Sequence, residues 1–207
     1  MDTSVVHLSD NFHEAINSSI TVLRSGGVII FPTDTVYGIG CLGNFEDAIK
    51  YIFEIKHRDY SKPLSAYFSN IEMVAEYVAE IPDIFYKIAE EYLPGALTII
   101  LKKNNKISDI ATSNLQTIGI RIPNNTFILE LVKKLGKPIL GTSANISNEG
   151  SIKSAGTAFQ IFNHKVTLII EDDENMIGTE STIIDLTEQP KIIRQGALKI
   201  EYFLKLC

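Results

Sequence analysis

A chain of 207 residues, 45% hydrophobic and 21% charged, holds enough apolar side chains for one generous core and is composed like an ordinary soluble globular protein. Its net charge of −6 argues against a protein that coats nucleic acid through many phosphate contacts, so any anion site must be local and built from a few placed cations. No apolar run approaches the roughly 20 residues of a membrane helix, the start "MDTSVVHLSDNFHEA" lacks the regions of a secretory signal, and Cys41 and Cys207 make no disulfide framework, so a cytoplasmic protein without membrane association is expected.

Hydrophobic period and punctuation predict alternating strands and helices. "VVHL" (5–8) reads as a short strand, and Asp10 or Asn11 caps a helix to about Ser25 whose apolar face carries Phe12, Ile16, Ile20 and Leu23. "VIIF" (28–31) is a buried strand, 45–56 an amphipathic helix, "PLSAYFS" a strand, and 70–79 and 83–92 two helices separated by Pro82. Strands follow at 96–103 and 117–123, then a helix at 125–135 ended by Gly136, and a brief strand "KPIL" that runs into "GTSANIS". A helix near 154–162 leads to a strand at 165–170, an acidic loop "EDDEN", and strands at 181–186 and 191–194 joined as a hairpin through Glu188, Gln189 and Pro190. With no repeat or linker, this predicts one α/β domain over 1–207 with a mixed, twisted, open sheet and flanking helices.

Several short motifs fail on context. "GIGCLG" (38–43) satisfies G-x-G-x-x-G, but six residues separate it from the strand and no acidic strand end follows at the required distance. "GTSAN" (141–145) nearly matches a serine-hydrolase elbow, yet Asn145 replaces the last glycine and the acid-then-histidine order is missing. His7, His13, His57 and His164 are scattered, so no metal cage is expected, and there is no P-loop.

What remains is a set of polar clusters, each just beyond a strand: "PTDTVYG", "KHRDYSKP", "TIGIRIP", "GTSANISNEGS", "GTESTII" and "IIRQG". They supply cations (Lys56, Arg58, Lys62, Arg121, Arg194) and many hydroxyls, with few carboxylates or histidines. Ligands in open α/β sheets sit outside strand ends, so these clusters are expected to converge in one large concave, cationic crevice. Such a site suits phosphoryl or nucleotidyl transfer, where positioning and charge stabilisation dominate over acid–base chemistry. Each cluster also has an ordinary reading as a helix end or a turn cap. Arg121 resists that reading, because alternation in "IGIRI" places it mid-strand, opposite the isoleucine face.

Taken in order, "GGVIIFPTDTVYGIGC", "IFEIKHRDYSKPLSAYF", "YLPGALTIIL", "IGIRIPNN", "PILGTSANISNEGS", "GTESTIIDL" and "IIRQGAL" resemble the YrdC-like family of L-threonylcarbamoyladenylate synthases over nearly the whole chain. The family's K-x-R then S-x-N signature is filled by Lys56, Arg58, Ser143 and Asn145. The resemblance implies a reaction of L-threonine, bicarbonate and ATP, with Mg²⁺, giving threonylcarbamoyl-AMP and pyrophosphate for a tRNA modification, and partner proteins that use the intermediate. It implies that Lys56 and Arg58 are catalytic and that Arg58, Lys62, Thr117, Ser143, Asn145, Ser151 and Arg194 hold ATP. Thr35, Tyr67, Arg121, Gly141 and Ser181 are implied to line the threonine pocket, with Arg121 on the carboxylate and Gly38 keeping the pocket wall close to ligand. No residue is implied as a metal ligand.

The sequence departs from the pattern at Tyr67, where many relatives have histidine, and at Lys62 and Asn148. It matches the short form without a C-terminal accessory domain. A paralogous branch that binds tRNA or other structured RNA without synthase activity is the alternative the resemblance leaves open, and a serine hydrolase at Ser143 is a further one.

Overall fold

Successive residues of each strand point to opposite faces of the sheet, and this alternation organises the molecule. In the computed structural model, which describes residues 2–174 and 176–200, one mixed sheet is built from β1 (Ser4–His7), β2 (Ile29–Phe31), β3 (Gly38–Leu42), β4 (Ser65–Tyr67), β5 (Leu97–Lys102), β6 (Thr117–Arg121), β7 (Ile139–Ser143), β8 (Leu168–Glu171), β9 (Thr182–Asp185) and β10 (Lys191–Arg194). Its order is β1-β8-β2-β3-β7-β4-β6-β5-β9-β10, an open arrangement in which β1-β8, β8-β2, β4-β6 and β5-β9 are parallel and the other pairs antiparallel.

Six helices are found among the described residues: α1 (Phe12–Arg24), α2 (Glu46–Ile55), α3 (Ile71–Ala75), α4 (Asp83–Tyr92), α5 (Thr126–Leu135) and α6 (Ala155–Phe162). Local chemistry sets their ends. Asn11, Asn70, Asn125 and Ser154 each accept a backbone N–H of the first turn, and Gly136 ends α5 in the left-handed conformation at φ 66°.

One layer packs α2, α3, α4 and α6 against Ile30, Ile39, Cys41, Ala66, Ile99, Ile120, Leu140 and Ile169. The other packs α1 and α5 against Ile29, Phe31, Leu42, Tyr67, Ile139, Leu168 and Ile170. That second layer takes its strand residues from β2, β3, β4, β7 and β8 and none from β5, β6 or β9. The sheet face over β6, β5 and β9 is therefore outside the layer that α1 and α5 cover, and the candidate site lies there, reaching onto β4.

Two elements differ from the sequence reading. "GIGCL" is a strand, β3, whose one face is nearly side-chain-free because its neighbours fill the space: a Cβ on Gly38 would lie 2.7 Å from the Phe31 ring, and one on Gly40 2.6 Å from Ile139 Cγ2. Gly38 thus makes room for Phe31 rather than for a ligand. The helix expected over 70–79 stops at Ala75, because Val78 bridges Lys103 and the Asn104 amide donates to the carbonyls of Glu76 and Val78. Cys41 is a free, buried thiol whose pKa burial pushes up to about 12, and Cys207 lies outside the described residues.

Candidate active site

A cleft of about 320 Å³ lies across that face of the sheet. Its floor is made by alternate strand residues: Ser65 and Tyr67 of β4, Gly119 and Arg121 of β6, Thr98 and Ile100 of β5, and Ile183 of β9. The intervening residues, Ala66, Ile118, Ile120, Leu97 and Ile99, point into the opposite core layer. The walls come from the loops after β2 and α2, from Thr142 and Ser143 of β7, and from Glu180, Ser181 and Arg194. The polar clusters do converge, but over the face of the strands rather than beyond their ends.

Within the cleft, Arg121 is buried, and its Nη2 donates to Asp34 Oδ1 at 2.5 Å and to Thr35 Oγ1 at 3.1 Å. Thr33 fixes this loop by donating to the Val36 carbonyl at 2.6 Å, and its Oγ1 lies 3.0 Å from Thr35 Oγ1. Arg121 Nε is buried with no hydrogen-bond partner. Tyr67 sits beside this pair with its ring edge-on to Phe31, and burial raises its pKa. The "TVYG" stretch is anchored from behind, since the Tyr37 hydroxyl donates to Asp173 Oδ1 at 2.6 Å and accepts from the Asp172 N–H at 3.0 Å.

In an adjoining group, reached through Thr98, the cross-strand partner of Arg121, Arg194 donates twice to the Ser181 carbonyl and once to Glu180, whose other oxygen accepts from Ser151 Oγ at 2.7 Å. Ser181 Oγ lies 2.8 Å from Thr98 Oγ1. Arg58 donates to the carbonyls of Lys62 and Pro63, and burial pulls its pKa below the ordinary arginine value.

Of the residues singled out by sequence, Thr35, Arg58, Tyr67, Arg121, Ser143, Ser181 and Arg194 line the cleft. Six do not. Lys56 is 1% exposed and bonded to carbonyl oxygens of the 143–145 segment, and Asn145 is buried behind Ser143. Burial, then the charge of Arg58, pulls Lys56 down to about 7, with Glu180 acting in the opposite direction. Lys62 is exposed and donates to Asn148 at 3.2 Å, and Ser151 reaches the cleft only through Glu180. Thr117 pairs with Lys102 at the start of β6, away from Arg121. Gly141 packs within β7, where a Cβ would meet the Ile39 carbonyl at 2.3 Å.

Sequence reasoning missed Asp34 and Glu180, and with them the fact that each meets a cleft arginine. The hydrolase alternative fails on geometry: Ser143 Oγ donates to Asn145 Oδ1 at 2.7 Å, and among the described residues no histidine lines the cleft. Among the described residues, no group of three or more His, Cys, Asp or Glu is placed to hold a metal ion, and no helix is long and apolar enough to cross a membrane.

The family model Sua5/YciO/YrdC, described as telomere recombination, matches residues 21–196. The chain belongs to the Sua5/YciO/YrdC family. A threonylcarbamoyl-AMP synthase of Pyrococcus abyssi is 35% identical over 206 residues, covering 99% of this chain and 61% of that protein. The chain thus spans about three fifths of that relative's length. Among solved structures, P. abyssi Sua5 complexed with L-threonine superposes with a TM-score of 0.92 at 34% identity, over 100% of this chain and 61% of that one. Escherichia coli YciO superposes with a TM-score of 0.88 at 25% identity, over 98% of this chain and all of that one. The match extends across both chains' length, which makes this a single-domain α/β fold of the Sua5/YciO kind.

Proposed function

We propose that this chain joins L-threonine, bicarbonate and ATP into threonylcarbamoyl-AMP and pyrophosphate, the nucleotidyl transfer that supplies an activated carbamoyl group for tRNA modification. The carrying observation is a cleft that gathers Arg58, Arg121, Arg194 and several hydroxyls, in a chain 34% identical to a Sua5 solved with L-threonine. In this reading Arg121 and Thr35 offer a cation and a hydroxyl to a small amino acid, and Arg58, Arg194 and Ser143 offer donors to a polyphosphate.

In this reading the threonine nitrogen adds to the carbon of bicarbonate with loss of water, giving a carbamate. A carbamate oxygen then attacks the α-phosphorus, forming the new P–O bond as the bond to pyrophosphate breaks. The chain's task is to orient the two substrates and neutralise the phosphates, and no covalent enzyme intermediate is needed. Mg²⁺ would offset charge on the leaving pyrophosphate. The two carboxylates nearest the cleft, Asp34 and Glu180, are already paired with arginines, so phosphate oxygens and water are its natural ligands. A cytoplasmic setting and transfer of the labile product to partner proteins belong to the same proposal. The RNA-binding alternative has no observation in its favour here.

Pyrophosphate release from ATP with Mg²⁺ tests it directly. Release that needs both L-threonine and bicarbonate, with the threonylcarbamoyl adenylate detected as product, is expected. A folded protein that gives no threonine-dependent release would overturn the reading.

A further inference from the structure

Lys56 stands at the C-terminal end of α2 with its side chain buried, and it lies outside the cleft that the proposed chemistry uses. Its Nζ reaches three oxygens of one short segment: the Ser143 carbonyl at 2.6 Å, the Asn145 carbonyl, and Asn145 Oδ1 at 3.4 Å. An ammonium has three N–H donors and no acceptor, so this set uses all of them. Among the described residues no carboxylate bonds to it, and its hydrogen-bond acceptors are all carbonyl oxygens.

The same segment is wound tightly around that point. Asn145 Oδ1 also accepts from Ser143 Oγ, and Asn145 Nδ2 donates to the carbonyls of Ile146 at 2.8 Å and Glu149 at 2.9 Å. The Ser147 N–H donates to Lys56's own carbonyl at 2.9 Å. Of the residues gathered here, only Ser143 faces the cleft.

We propose that Lys56 is a positioning residue: its ammonium acts as a built-in monovalent cation around which the 143–149 segment is wound, aiming Ser143 into the cleft. The role rests on geometry alone, and only its consequence for turnover rests on the synthase reading.

Lys56→Ala removes three carbons and the nitrogen, the atoms of n-propylammonium. Hydrogen exchange at the Ala144, Ser147 and Glu149 amides, each bonded to a backbone carbonyl, is measured without substrate at a pH below 7. Exchange in the variant is expected to be about tenfold faster or more, with n-propylammonium chloride restoring protection in that segment while n-propanol and sodium chloride do not. Pyrophosphate release should recover with the same additive through a lower KM for ATP.

Unchanged exchange in the variant, alongside lost pyrophosphate release, would overturn the proposal, since the ammonium would then act on substrate directly. Where Lys56→Ala folds poorly, two further readouts decide. Lys56→Met, of similar length but uncharged, should show the same fast exchange, and the alanine variant's Tm should rise with n-propylammonium and not with n-propanol. Equal responses to the two additives would overturn the role. A wild type without threonine-dependent turnover would sink the synthase reading alone, because the exchange arm needs no substrate.

Discussion

Arg121 and Arg194 each meet a carboxylate, whereas Arg58 and Lys56 are satisfied by carbonyl oxygens, and the two groups should respond differently to substitution. Arg121→Ala leaves Asp34 buried and uncompensated, a situation that typically costs about 3–5 kcal/mol. Urea unfolding should show a loss of that order, and adding Asp34→Asn in the same chain should recover much of it. In turnover assays the KM for threonine should rise far more than the KM for ATP in the double variant; equal rises would remove Arg121 from the proposed amino-acid contact. Lys56 responds through protons. Its folded pKa lies at about 7, below the ordinary lysine value of 10.5, so between these limits the unfolded chain holds the proton more often than the folded one. Stability therefore rises with pH across that window, and wild type should gain on Lys56→Met between about pH 7 and 9. Parallel curves would show that the folded amine titrates normally. At this scale Arg121 was legible, because strand alternation alone set it apart from the isoleucines. Asp34 was not, because its partner lies 87 positions away and no local pattern marks a carboxylate for such a pairing.

Most elements could be read from period and caps, since helices such as α1 and α5 carry both an apolar face and an asparagine at the first turn. β3 could not. The sequence reading assigned no strand to its glycines, and only the fold shows that Phe31 and Ile139 occupy the volume their side chains would need. Gly40→Ala should accordingly destabilise by about 1–3 kcal/mol, the usual cost of overpacking, read as a lower urea midpoint with an unchanged slope. A neutral result would mean that β3 and β7 separate easily. α3 fell short of its expected length for a related reason: Val78 and Asn104 draw the chain toward β5 before a second turn forms. Replacing the cap of α1, Asn11→Ala, should cost about 1 kcal/mol, because the Glu14 N–H loses its acceptor.

For the molecule as a whole, a charge of −6 coexists with a cleft lined by arginines, and the division of labour inside that cleft predicts its salt response. The Arg121–Asp34 pair is neutral overall and suits a zwitterionic amino acid, while Arg58, which donates to backbone carbonyls and has no carboxylate hydrogen bond among the described residues, suits a polyanion. Raising ionic strength from about 0.05 to 0.5 M shortens the Debye length several-fold, so ATP affinity should fall clearly while threonine affinity barely moves. Similar falls for both ligands would contradict this division.

The half-sheet beneath the cleft carries a consequence for how this chain can change over time. Along β6, the residues that build the hydrophobic interior (Ile118, Ile120) interleave one by one with those that face the cleft (Gly119, Arg121). Folding and chemistry are thus written on the same strand in opposite parity. A position-by-position survey of substitutions should beat with a period of two, folding yield dropping at one residue and reaction rate at the next. New substrate preferences can be tried on one parity while the other keeps the protein standing.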